Sequence, residues 1–186
     1  MKGILQCLTA VFFLVVCVDA YCLDGIEIFT GYMNANLDEQ DDYEGIPLFV
    51  AFNFDGKPLL SDIGIEFPGR FDFVIEPFVN TMFSPDPNVE VGSNFLIKYV
   101  LPLTETVQPY VKGGLGALYM SQHTREQSTQ YNFLPQGGAG VHIFLNENTA
   151  MSFEYRYRHL SNNSFKSPNS GINTDLFLGG ISFFFD

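Results

Sequence analysis

Residues 151–161 alternate between two faces that want opposite surroundings, and this limits the chain more than any other stretch of it. In an extended segment Met151, Phe153, Tyr155 and Tyr157 point to one side, while Ser152, Glu154, Arg156 and Arg158 point to the other. A sheet in water would bury the aromatic side and solvate the charges. A membrane-spanning barrel does the reverse, turning the aromatics to lipid and the charges to a polar lumen. The same period recurs elsewhere. Phe71, Phe73, Ile75 and Val79 oppose Asp72, Glu76 and Asn80. Val91, Phe95, Ile97, Tyr99 and Leu101 oppose Asn94 and Lys98. Tyr131, Phe133, Ala139, Val141, Ile143 and Leu145 oppose Asn132, Gln136 and His142.

Strands are expected at 24–34, 46–54, 70–80, 89–101, 107–120, 131–145, 149–161 and 173–186, eight in all. The expected fold class is therefore all-β, an eight-stranded antiparallel transmembrane β-barrel, the smallest common size. Twenty Phe, nine Tyr and seventeen Gly with little helical periodicity agree with an all-β chain. The alternative is a soluble, lipocalin-like barrel with its apolar phase turned inward around a ligand. Two places fit the pattern poorly. The second strand is apolar on both faces, with Ile46, Leu48, Val50 and Phe52 against Phe49 and Ala51. Residues 55–69 are long for a turn, and Leu59 to Phe67 either extend a strand or form a short surface helix.

A lumen imposes a charge condition, because an unpaired buried charge costs several kcal/mol. The polar phase carries Glu27, Asp72, Glu76 and Glu154 against Lys98, Lys112, Arg156 and Arg158, four of each sign. The formal net charge of −12 then belongs mostly to loops, notably Asp38, Glu39, Asp41, Asp42 and Glu44 between the first two strands. Met1 and Lys2, the apolar run Ile4–Val18 and the Val18-Asp19-Ala20 site read as a secretory signal peptide over 1–20, leaving 21–186 as one barrel domain. Cys7 and Cys17 leave with it, so Cys22 has no intrachain partner. Leu178, Gly180, Phe183 and Phe185 resemble the aromatic C-terminal signal of outer-membrane barrels, although Asp186 follows.

Several functions are disfavoured. His123, His142 and His159 lie on separate segments without ligand spacing, so no metal site is indicated. Gly113-Gly114-Leu115-Gly116 and Gly137-Gly138-Ala139-Gly140 fall inside strands and are not phosphate loops. An acidic chain with nine Lys and Arg and no basic patch is a poor nucleic-acid binder.

His159 and Ser161 are two residues apart on one strand face, about 7 Å by strand rise. A hydroxyl beside an imidazole is a minimal activated nucleophile, and here it stands on the lipid-facing phase at a strand end. The spacing alone is common. With the tail Arg156-Tyr157-Arg158-His159-Leu160-Ser161-Asn162-Asn163 and Pro168-Asn169-Ser170-Gly171-Ile172-Asn173, the chain closely resembles the PagL-type lipid A 3-O-deacylases. The resemblance is specific over about residues 150–180 and looser upstream, in Pro109-Tyr110 to Gly116 and Asn132-Phe133 to Phe144.

That resemblance implies an outer-membrane esterase that hydrolyses the 3-O-linked acyl chain of lipid A without metal or organic cofactor. It implies Ser161 as nucleophile and His159 as base, with Asn162 or Asn169 and loop amides stabilising the oxyanion. Turn chemistry is the competing account of both asparagines. The family's third catalytic position is a glutamate, and this chain has Asn173 there, with Asp175 two residues on as a substitute if the register shifts. Lys166 and Arg125, in expected extracellular loops, are candidates to touch lipid A phosphates, with simple solvation as the competing account. The implied partners are lipopolysaccharide and outer-membrane lipid; a homodimer is compatible with the sequence. A non-catalytic structural or adhesive barrel is the second functional reading.

Overall fold

The computed structural model describes residues 23–35, 37, 42–121 and 128–185. Eight antiparallel strands, each paired to the next and the last to the first, close a barrel. They are β1 (Leu23–Ala35), β2 (Tyr43–Asp55), β3 (Arg70–Ser84), β4 (Asn88–Val100), β5 (Val107–Met120), β6 (Tyr131–Asn146), β7 (Thr149–Leu160) and β8 (Ile172–Phe184). Among the described residues, no helix is long and apolar enough to cross a membrane. The expected signal peptide over 1–20, together with Cys22, Asp38, Glu39, Asp41, His123, Arg125 and Asp186, lies outside the described residues.

The expected phases hold along the strands. Phe95, Ile97, Phe153, Tyr155, Tyr157, Phe177 and Ile181 are exposed on the outside, and the charged residues between them are buried. The second strand, ambiguous in sequence, turns Phe49 and Ala51 inward and Ile46 and Leu48 outward. Its inner apolar residues are explained by their neighbours: Phe49 packs on Phe78 and under the Arg156 guanidinium, 4.6 Å from the ring centroid. β2 and β3 also run further than their patterns suggest. Tyr43 is fully buried and its hydroxyl donates to Glu90 at 2.9 Å, so pairing continues to Ala35↔Tyr43 and Glu44↔Ser84 through a stretch whose acidic composition reads as loop.

The interior is a packed polar core. Arg156 donates to Glu76 at 2.5 and 2.9 Å and to Glu154 at 2.7 Å, and Lys112 lies 3.1 Å from Glu76 and 2.8 Å from Glu154. Lys98 bridges Glu27 at 2.9 Å and Asp72 at 3.2 Å. Arg158 donates to Glu90 at 2.8 Å. Glu90 is the partner missing from the sequence count: it shares the phase of Asn94 and Lys98 at the far end of β4, and it makes Arg158 a paired charge. A hydrophobic cluster with Phe29, Met33, Met82, Leu134, Leu160 and Leu176 closes the interior beside these ion pairs.

The long link between β2 and β3 takes the helical option. Helix α1 (Lys57–Asp62) is followed by turns, and Gly64 and Gly69 have φ of 77° and 93°. At the opposite end of the barrel, β7 and β8 are joined by the 161–171 loop, which carries the sequence motif.

Candidate active site

The site begins with register. β6 and β7 pair as Gln136↔Arg158, and the same register continues beyond β7 as a bridge between Phe133 and Ser161, with N–H···O distances of 2.8 and 3.1 Å. Ser161 therefore keeps the phase of His159, Tyr157 and Tyr155, on the outside of the barrel at the rim. β7 and β8 pair as His159↔Asn173, which sets these side chains against each other. His159 Nδ1–H donates to Asn173 Oδ1 at 2.6 Å. An amide oxygen only accepts, so this bond selects the tautomer protonated on Nδ1 and leaves the Nε2 lone pair able to accept a proton.

A glycine seats the ring. Gly171 has φ of 81°, and a Cβ there would lie 2.4 Å from His159 Cε1 and 3.0 Å from Nε2. The backbone of the loop thus forms a floor under the imidazole that no other residue type permits. In the sequence Gly171 is marked only by its place two residues before Asn173.

The asparagines build the loop. The Asn162 side chain points inward and is buried, its Nδ2 donating to the Lys166 carbonyl at 2.8 Å and to Ser128 Oγ at 3.3 Å. Its backbone N–H donates to Asn169 Oδ1 at 2.8 Å. That contact consumes the acceptor end of the Asn169 amide and directs its Nδ2 donor elsewhere. Asp175 lies further down β8, opposite Tyr157, and accepts from the Tyr155 hydroxyl at 2.5 Å. The register contains no shift that would bring it to His159. Lys166 is exposed, and its carbonyl is the group that holds the loop. Around Ser161 the outer wall is apolar: Phe133, Tyr157 and Phe165 are exposed, with the Phe133 and Phe165 rings 6.3 Å apart.

A second serine–histidine pair exists inside the barrel. His142 Nδ1 is 2.7 Å from Ser152 Oγ, which is 2.6 Å from Ser182 Oγ, and His142 Nε2 faces Glu27 at 3.5 Å. The acid–imidazole–hydroxyl order resembles a triad, yet all four side chains are fully buried and no ester can reach them. Among the described residues, no group of His, Cys, Asp or Glu is arranged to hold a metal ion.

The model of the lipid A 3-O-deacylase (PagL) family matches residues 49–181, which span more than half the chain and every residue of the rim site. The chain belongs to this family. In backbone, it superposes on the crystal structure of the outer membrane enzyme PagL with a TM-score of 0.59 at 16% identity, covering 84% of this chain and 97% of that one. It superposes equally on the barrel of Neisserial surface protein A (NspA), TM-score 0.62 at 11% identity, covering 87% and 96%. At such identities these likenesses show the fold, an outer-membrane β-barrel. No curated protein sequence matches the chain. The matched region contains His159, Ser161, Asn169, Gly171 and Asn173.

Proposed function

We propose that this protein is an outer-membrane esterase that removes the 3-O-linked acyl chain of lipid A, with Ser161 as nucleophile and His159 as general base. The observation that carries the reading is the placement of both residues on the lipid-facing side of the rim, with the His159 tautomer set by Asn173. The glucosamine headgroup of an outer-leaflet lipid would lie level with that rim and its acyl chains along the aromatic wall below.

In this mechanism Ser161 Oγ adds to the acyl carbonyl as His159 Nε2 takes its proton. The tetrahedral intermediate collapses by breaking the bond to the sugar oxygen, which leaves with the proton from Nε2. Water then adds to the acyl-enzyme, gives its proton to Nε2, and releases the fatty acid with Ser161 restored. The oxyanion donor that the geometry favours is Asn169 Nδ2, because the Asn162 side chain is turned into the barrel and its N–H is engaged. Such a donor is worth ~3 kcal/mol in acyl transfer. Asn173 orients the imidazole but adds no charge against the imidazolium, which predicts a slow enzyme.

The test is mass spectrometry of lipid A from bacteria producing the protein or its Ser161→Ala variant, with insertion of both verified by heat-modifiable migration. Loss of one 3-hydroxyacyl chain with the unsubstituted protein alone supports the proposal. Unchanged lipid A with a correctly inserted protein would overturn it in favour of a non-catalytic barrel.

A further inference from the structure

The segment between β2 and β3 has no part in the rim site, yet it exposes three large apolar side chains close together in sequence. Within α1, Leu59, Leu60 and the following Ile63 fall within one arc of the helical wheel, and Lys57, Ser61 and Asp62 occupy the rest. Leu59 is 54% exposed, Ile63 66% and Ile65 48%. No residue of the helix is buried against the barrel. In water such a surface would be unfavourable, and none of the described residues covers it.

Its position supplies the occupant. The link leaves β2 at Gly56, whose N–H donates to the Phe71 carbonyl at 2.7 Å. A Cβ at Gly56 would lie 2.6 Å from the Phe71 ring and 2.9 Å from the Phe73 ring. Phe71 and Phe73 belong to the outer phase of β3, so the chain crosses onto the outer wall of the barrel instead of folding beneath its lumen. It returns along the same wall. Phe67 packs edge-on against Phe71 and Tyr99, with centroids 6.0 and 5.5 Å apart, and the Tyr99 hydroxyl donates to the Pro68 carbonyl at 2.7 Å. Both ends of the link are thus tied to the outer aromatic band, at the end of the barrel that carries both described chain ends, which is the periplasmic end in the proposed orientation.

We propose that residues 57–67 form a membrane-interface anchor: α1 lies against the bilayer with Leu59, Ile63 and Ile65 in the headgroup–acyl boundary of the adjacent leaflet, and Lys57, Ser61 and Asp62 face water. The aromatic girdle of Phe67, Phe71 and Tyr99 fixes the depth at which this happens. A periplasmic protein or a second copy of the chain is the competing occupant.

The chain has no tryptophan, so one introduced residue reports alone. Ile63→Trp and Ser61→Trp are each folded into phosphatidylcholine vesicles, with folding verified by heat-modifiable migration; Leu59→Trp replaces Ile63→Trp if that variant does not fold. The anchor predicts blue-shifted emission for Ile63→Trp, at least twofold quenching by lipids brominated near the headgroup end of the acyl chain, and poor quenching by acrylamide. Ser61→Trp should emit as in water and be quenched by acrylamide. Water-like emission from Ile63→Trp, or a blue shift that brominated lipid leaves unquenched, would overturn the proposal, the latter by showing a protein contact instead.

Discussion

His159 and Asn173 face each other across the β7–β8 pair, with Nδ1 donating to Oδ1 over 2.6 Å. In the proposed mechanism the amide fixes tautomer and orientation but leaves the imidazolium uncompensated when His159 takes the serine proton. Asn173→Glu, which places a carboxylate in the same register, should therefore raise the rate of lipid A deacylation, by a factor on the order of 10² within the ~10⁴ that this position commands in serine–histidine enzymes. Asn173→Leu should lower it by removing the acceptor. Lipid A mass spectra taken over a time course compare the three; a Glu variant no faster than the unsubstituted protein would mean that Asn173 does not address the reacting histidine.

Gly171 should be as sensitive as the groups that react. Its φ of 81° disfavours any side chain by roughly 1–2 kcal/mol, and an added methyl would overlap His159 Cε1 at 2.4 Å. Gly171→Ala is expected to reduce kcat by ~10²-fold through a displaced ring, with KM little changed and heat-modifiable migration retained. Full turnover in Gly171→Ala would show that the imidazole works from another position.

The internal pair gives a control with the opposite expectation. His142 and Ser152 are hydrogen-bonded at 2.7 Å, closer to an activated nucleophile in form than any contact at the rim, but both are sealed within the barrel. Ser152→Ala should leave deacylation within about twofold and lower stability by ~1 kcal/mol for the lost hydrogen bonds to His142 and Ser182. Lost deacylation in a folded Ser152→Ala protein would place the chemistry in the lumen.

Most of the architecture was legible because period-two alternation in a barrel reports directly on environment: the charges of β7 could only be lumenal once its aromatics were lipid-facing. The register that carries His159 and Ser161 to one face follows from the same rule. What escaped is non-local. Glu90 looks like a strand-end charge until β4 and β7 are brought together across the lumen, where it pairs with Arg158. Tyr43 sits beside an acidic loop and reads as part of it, although its hydroxyl ends on Glu90. Asn162 and Asn169 could not be assigned separate tasks from sequence, because only the loop geometry shows that one amide faces inward and the other is held by its carbonyl oxygen. The path of residues 56–69 was open for a similar reason: the aromatic contacts that draw it onto the outer wall come from β3 and β4.

Arg156 is the keystone of the interior charges. Its guanidinium meets Glu76 through two nitrogens and Glu154 through a third, also reaching Gln136 at 3.0 Å. Removing it leaves two buried carboxylates to share Lys112, and an uncompensated buried charge of this kind costs ~3–5 kcal/mol. Arg156→Met should therefore lower the urea midpoint for unfolding from detergent micelles by that equivalent. Arg156→Lys should recover only part of the loss, since one ammonium cannot span both carboxylates in the geometry of the fork. An unchanged midpoint in Arg156→Met would mean that water enters the lumen and solvates Glu76 and Glu154, and that the ion pairs are not what hold the barrel closed.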